Sequence, residues 1–164
     1  MTDATTTSGP LDDPPIPVQA KLAAAWASFT FLYVYVDYFH LYKPGVIDDI
    51  LAGNVWEFDI SQTLLTAFLT SVSIPIPMVM LSVTLPARAN RTGNLVVASL
   101  YVPYSMVNAV GESWTYFYGL SIGLEVLLLA FVLRAAWTWP RTPAPPIADR
   151  GTQPLLPPAR RGAR

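Results

Sequence analysis

The sequence contains no cysteine and few charged residues. The absence of cysteine from all 164 residues excludes disulfides, thiolate metal sites, iron–sulfur clusters and thiol redox chemistry. One histidine is too few for a two-histidine haem or zinc site within one subunit. Charged residues make up 13% of the chain, whereas a soluble domain usually carries about 25%. The chain therefore lacks the charge to cover a water-facing surface, and we expect neither a cofactor nor a metal.

Long apolar runs dominate instead, and 52% of the residues are hydrophobic. Four runs approach the ~20 residues that a bilayer requires: about residues 22–42, 61–85, 94–111 and 115–139. Backbone groups have no water partners in hydrocarbon, so such runs must be helices. The sequence predicts an all-α fold, a four-transmembrane-helix bundle over residues 20–140. Residues 1–19 and the Pro/Arg-rich residues 141–164 are predicted to be disordered cytoplasmic tails.

Lysine and arginine are distributed asymmetrically between the predicted loops. Nine of the ten fall on one side of the four spans, and Lys43 alone falls on the other. By the positive-inside rule, both termini are cytoplasmic. Aromatic residues near the predicted span ends are expected to lie at the membrane interfaces: Trp26, Tyr42, Trp56, Trp114, Trp137 and Trp139.

The outer segment 43–60 has the pattern of a short amphipathic helix. Pro44 suits a first helical position and Gly53 suits a stop, while Asp48 and Asp49 share the polar face. We expect this helix to lie on the outer membrane surface. Asp59 and Gln62, three residues apart, indicate a capping box that opens the second span.

Polar residues are concentrated in the outer half of the first and third spans. Tyr33, Asp37 and His40 share one helical face, and Asn108 and Glu112 form a matching stripe. Ionisable groups in a membrane are costly, so they are candidates for function. These five residues are predicted to form one polar pocket. Buried hydrogen bonds between helices, or a metal site formed by Asp37, His40 and Glu112, are the alternatives.

Glu125 lies ten residues into the fourth span, about 15 Å deep by the helical rise. Ser121 and Tyr118 share its face, and the three form a candidate intramembrane carboxylate site. In the second span, Pro75 and Pro77 predict a helix kink near mid-membrane. The alternative for the carboxylate is a structural hydrogen bond to another helix, and the alternative for the kink is a static bend.

A pattern of residues extends over positions 20–140. It comprises Lys21-Leu-Ala-Ala-Ala-Trp26, Phe31-Leu-Tyr33-Val-Tyr35-Val-Asp37-Tyr-Phe39, Leu41-Tyr-x-Pro44-Gly45, Asn108-x-x-Gly111-Glu112-x-Trp114-x-Tyr116, Glu125 and Ala136-Trp137-x-Trp139-Pro140. This pattern resembles a family of small bacterial four-helix membrane proteins, domain of unknown function 6326. The resemblance implies a four-helix bundle in a bacterial cytoplasmic membrane, and it implies no activity or substrate.

Three functions remain open at this point. The first is a non-enzymatic membrane component that binds a small amphiphile, lipid or proton in the outer pocket, or serves as a subunit of a membrane complex. The second is a small proton-coupled transporter with Glu125 or Asp37 as its carboxylate. The third is a membrane-embedded acid–base enzyme, although no catalytic motif supports it. Expected partners are the lipid bilayer, a lipid or small amphiphilic ligand, and a second copy or a membrane complex, but no nucleic acid.

Overall fold

The computed structural model describes residues 14–108 and 110–140. About 75% of these residues are helical, and the single sheet among them is a two-stranded hairpin. The elements in chain order are α1 (Val18–His40), α2 (Val46–Leu51), β1 (Asn54–Val55), β2 (Phe58–Asp59), α3 (Gln62–Ser73), α4 (Pro75–Thr84), α5 (Ala87–Val107) and α6 (Thr115–Trp137). The predicted all-α class is therefore confirmed. The predicted tails lie almost entirely outside the described residues, apart from residues 14–19, and α1 already begins at Val18.

Three helical segments are long and apolar enough to cross a membrane. They are Val18–His40, Thr115–Trp137 and Gln62–Thr84, the last formed by α3 and α4 together. The remaining long helix, α5, has 21 residues but is not among these three, because Arg88, Asn90, Arg91 and Asn94 occupy its first two turns. Three crossings are thus compatible with the structure, whereas a fourth stays a prediction.

The core lies towards one end of the bundle. We call this the basic end, since it carries Lys21, Arg88, Arg91 and Arg134, and we call the opposite end, which carries the α1–α3 connection, the acidic end. α1 packs along α4 and α6, and α6 packs along α5. The buried apolar residues are Leu22, Ala25, Trp26, Phe29, Met78, Ala98, Tyr101, Leu129, Val132 and Ala136. α3 contributes no buried residue and makes few contacts beyond α4, so the bundle is open at the acidic end.

The short helix predicted in the α1–α3 connection is present as α2. Gly45 precedes it in the left-handed conformation, with φ at +92°, so Pro44 lies in the turn before the helix and not at its first position. After α2, the amide of Gly53 donates to the Ile50 carbonyl at 3.0 Å, and Gly53 has φ at +89°. Such a glycine at the end of a helix is a common C-terminal cap. Contact of α2 with a membrane surface stays a prediction.

The β-hairpin that follows α2 was not predicted. β1 and β2 pair in antiparallel orientation, and Trp56 in the turn has φ at +52°. The predicted capping box of Asp59 and Gln62 is wrong, because Asp59 belongs to β2. Ser61 caps α3 instead, and its Oγ accepts a hydrogen bond from the Leu64 amide at 3.2 Å.

α5 begins and ends earlier than the predicted span 94–111. It starts directly after Pro86 and ends at Val107, where Asn108 is the C-cap. Gly111, with φ at +89°, then turns the chain, so Glu112 lies in the connection to α6 and not on a helical stripe with Asn108. The connection to α6 is therefore longer than the gap between the predicted spans 94–111 and 115–139, because the last turn of the former is not helical.

Candidate functional site

A cavity of about 90 Å³ lies between α1, α5 and α6 towards the acidic end. The structure places all eight polar candidates from the sequence along it: Tyr33, Asp37, His40, Asn108, Glu112, Tyr118, Ser121 and Glu125. From the sequence, these residues were predicted to form two separate groups. They share one cavity because Glu125, on α6, faces the same interior as the polar stripe of α1.

The polar stripe of α1 is tied to both neighbouring helices by side-chain hydrogen bonds. The His40 Nδ1 and the Tyr118 hydroxyl lie 2.5 Å apart, which joins α1 to α6. The amide of Asn108 donates to the Tyr33 hydroxyl, which joins α5 to α1. These two bonds fix the rings of Tyr33, His40 and Tyr118 around the cavity.

An ion pair between Lys43 and Glu112 closes one side of the cavity. The ammonium and carboxylate lie 2.6 Å apart, and the two side chains are 22% and 12% exposed. It is the one ion pair among the described residues. The pairing of Lys43 with Glu112 was not predicted, although Lys43 is the single cation among the outer acidic residues and this pattern was the available signal.

Two buried polar groups face the cavity from α5 and α6. Glu125 is 4% exposed and Ser105 is fully buried. The hydroxyl of Ser105 has no hydrogen-bond partner among the described residues. A buried polar group without a partner costs roughly 1–3 kcal/mol, so this arrangement favours an occupant that supplies one. Ser105 was not predicted, because a single serine in an apolar span has no distinguishing pattern.

A wider vestibule of about 550 Å³ adjoins the cavity. α2 and the hairpin border it on one side, and α3 and α5 on the other. Tyr33, Asp37, His40, Trp56 and Asn108 line both spaces. Apolar side chains of the vestibule include those of Ile50, Val55, Phe68 and Val72. Polar residues, among them Lys43, Asp49, Asn54 and Ser71, line the vestibule as well, so both spaces combine polar and apolar side chains.

The predicted kink appears as a break in the helix between α3 and α4 at Ile74. Pro75 is the first residue of α4 and leaves the carbonyl of Ser71 without its usual amide donor. The Tyr101 hydroxyl of α5 donates to that carbonyl. The hydroxyl of Ser71 donates to the Phe68 carbonyl, and the hydroxyl of Ser73 donates to the Leu69 carbonyl. Pro77 lies two residues further along α4, about half a helical turn away, on its exposed side.

A family model described as "Family of unknown function (DUF6326)" matches residues 17–143. The chain belongs to this family. Membership in the family of unknown function 6326 is therefore confirmed, whereas bacterial origin and a membrane location stay predictions. The matched range contains every described helix and every candidate residue. No curated protein and no solved structure matches this family member.

The basic end of this family member holds a second buried polar cluster, which the sequence analysis missed. The indole of Trp26 donates to Asn94 Oδ1 at 2.6 Å, and Asn94 donates to Asn90 Oδ1 at 2.7 Å. Asn90 in turn donates to the Ser82 carbonyl at 2.6 Å. Trp26 is fully buried, so its predicted interfacial position is wrong. The polar groups of these four residues hydrogen-bond to one another, so the cluster holds α1, α4 and α5 together.

Metal binding at the candidate site has little support in the geometry. Within the part of the chain that the structure describes, no group of three His, Asp or Glu side chains is placed to hold a metal ion. His40 is engaged with Tyr118, and Glu112 with Lys43. Two of the three side chains proposed as metal ligands, His40 and Glu112, are therefore already bonded within the protein.

Proposed function

We propose that this protein crosses a bacterial cytoplasmic membrane four times and binds a small amphiphile, without catalysis, in the cavity at its acidic end. The observation that carries the proposal is the continuous pair of spaces described above. Polar side chains from three helices line the small cavity, and the adjoining vestibule adds the apolar side chains of Ile50, Val55, Phe68 and Val72. Ligand sites usually combine apolar walls with a few fixed polar groups in this way.

The membrane location is supported by the apolar exterior of the helices. Phe31 is 67% exposed, Leu100 64% and Leu127 63%. Apolar surface left in water costs roughly 25 cal/mol per Å², and soluble monomers rarely expose large contiguous apolar patches. Lipid chains would cover these side chains at no such cost.

A fourth crossing by α5 is supported by the direction in which its polar residues face. Asn90, Asn94 and Ser105 are fully buried within the bundle. The exposed side of α5 carries Val96 and Leu100. The residues that α5 would present to lipid are therefore more apolar on average than the helix as a whole. Its 21 residues span about 31 Å at the helical rise, which matches a hydrocarbon core.

Binding is favoured over transport by the packing beneath the cavity. Leu22, Phe29, Leu129 and Val132 are each at most 1% exposed and separate the cavity from the basic end. A transported molecule would need a path through this core. The cavity and vestibule open towards the acidic end, which the positive-inside rule assigns to the outside, so the ligand would enter from there.

The test is native mass spectrometry of the full chain purified in detergent, with Ser105→Leu compared against Ser99→Leu. Ser105 lines the cavity, whereas Ser99 is exposed on the same helix. We expect a retained small molecule on the wild type and on Ser99→Leu, and its loss from Ser105→Leu. An equal ligand-bound fraction in all three proteins would reject the cavity as the binding site.

A further inference from the structure

The ionisable groups around the cavity leave an excess of carboxylates. Asp37, Glu112 and Glu125 line it, while Lys43 is the nearby cation and is already paired with Glu112. Asp37 and Glu125 have no ion-pair partner among the described residues. The arginines of the bundle lie at the opposite, basic end. The cavity therefore offers carboxylate oxygens that no protein cation neutralises.

Neutral oxygen atoms add to this environment. The unpartnered hydroxyl of the fully buried Ser105 faces the same space as Glu125. Ser121 and Tyr118 lie one and two turns before Glu125 on α6. Burial of the Glu125 carboxylate and of the Ser105 hydroxyl carries a desolvation cost. A donor with several hydrogens and a positive charge would satisfy both groups at once.

We propose that the amphiphile carries a protonated amine as its head group, held by Asp37 and Glu125, with its apolar tail in the vestibule. This inference rests on the proposed ligand-binding function and adds the charge of the ligand. The cavity of about 90 Å³ equals about three water molecules at ~30 Å³ each, which suits an ammonium head. The vestibule of about 550 Å³ accommodates a short alkyl or aromatic tail.

Aromatic rings strengthen the preference for a cation over a neutral head. Trp56 and Tyr33 line the cavity, and the faces of aromatic rings attract ammonium groups. The Tyr118 ring already lies under the Lys43 ammonium. Trp56 also lines the vestibule, so its ring lies where the two spaces meet. The ammonium head of the ligand would join its apolar tail at this position.

The experiment compares three probes with one tail and different heads: octylammonium, octanol and octanoate. Binding to the full chain in lipid nanodiscs is measured by isothermal titration calorimetry, with empty nanodiscs subtracted to remove partitioning into lipid. We expect saturable octylammonium binding at least about tenfold tighter than octanol binding, since tenfold corresponds to one good charge-assisted contact. Methylammonium, which lacks the tail, should bind at least about tenfold more weakly than octylammonium.

Variants then test the two carboxylates. Asp37→Asn and Glu125→Gln should each weaken octylammonium binding by about tenfold or more and leave octanol binding unchanged. Asp48→Asn is the matched control, because Asp48 lies on α2 outside both spaces, and it should bind like the wild type. If Glu125→Gln does not fold, Asp37→Asn, at an exposed position, provides the same test.

The outcomes separate this inference from the proposed function. Octanol or octanoate binding as tightly as octylammonium would overturn the amine head and leave the binding function intact. Equal affinity for methylammonium would overturn the amphiphilic ligand in favour of a small cation. The absence of saturable binding by every probe and of any retained molecule in mass spectrometry would reject both.

Discussion

Lys43 and Glu112 should contribute to stability as a pair, because both side chains are largely buried. Glu112→Gln leaves the ammonium of Lys43 without its counter-charge, and we expect a loss of about 1–2 kcal/mol in the free energy of unfolding. Unfolding by SDS in mixed micelles, followed by circular dichroism, measures it. Glu57→Gln, in the exposed hairpin turn, is the control.

A double-mutant cycle separates the interaction between Lys43 and Glu112 from the contacts that each side chain makes with other residues. Lys43→Met alone should cost a similar amount, and the double variant should cost less than the sum of the two single variants. Additive losses would show that each side chain acts through other contacts.

Asn94 should be the most sensitive polar residue at the basic end. Asn94→Ala removes the acceptor of the Trp26 indole and the donor to Asn90, and it leaves buried polar groups unsatisfied. We expect a loss of roughly 2–3 kcal/mol in the free energy of unfolding. Asn54→Ala, at an exposed hairpin position, should change it by less than about 0.5 kcal/mol. Equal effects in the same unfolding assay would contradict the structural role of the cluster.

The sequence identified candidate residues better than it identified their partners. Tyr33, Asp37 and His40 could be grouped because helical spacing places them on one face. Glu112 could not be paired with Lys43, since their contact spans 69 positions and depends on two irregular connections. Trp26 was misplaced because an interfacial and a buried tryptophan near a span end have the same local pattern.

At the scale of elements, the break between α3 and α4 depends on a side chain from a third helix. Tyr101→Phe removes the donor to the Ser71 carbonyl, and we expect a loss of about 1 kcal/mol in the free energy of unfolding. Tyr116→Phe is the control, because Tyr116 is 97% exposed. The same SDS titration measures both variants.

Pro75→Ala provides a second comparison for this bond. Position 75 then regains a backbone N–H that can donate to Ser71, so Tyr101→Phe should cost less in that background. An unchanged cost would mean that the hydroxyl does not compensate for the proline.

Helix positions were predicted well where apolar runs are uninterrupted, and poorly where polar residues enter a helix. α6 (Thr115–Trp137) lies within the predicted span 115–139. α5 was placed too late, because its first two turns carry the polar residues that bury against other helices. The hairpin was missed, since strands of two residues have no measurable alternation.

For the whole molecule, the decisive prediction concerns topology. The chain contains no cysteine, so single-cysteine variants report their own position without background. Asp48→Cys and Ser113→Cys should react with a membrane-impermeant maleimide on intact cells, and Arg88→Cys only after lysis. Labelling of Arg88→Cys and Ser113→Cys from the same side would show that α5 does not cross.

The uneven packing along the bundle has a consequence for how the molecule opens. Among the described residues, the fully buried large apolar side chains lie from the middle of the bundle towards the basic end, whereas α3 has no buried residue. Local opening follows the density of buried contacts. Amide hydrogen exchange should therefore divide single helices, with slow exchange in the first half of α1 and the last half of α6 and fast exchange in their other halves. The well-packed ends of α1, α4, α5 and α6 would then unfold as one cooperative unit. The half of the bundle that binds the ligand could open and close while this unit stays folded.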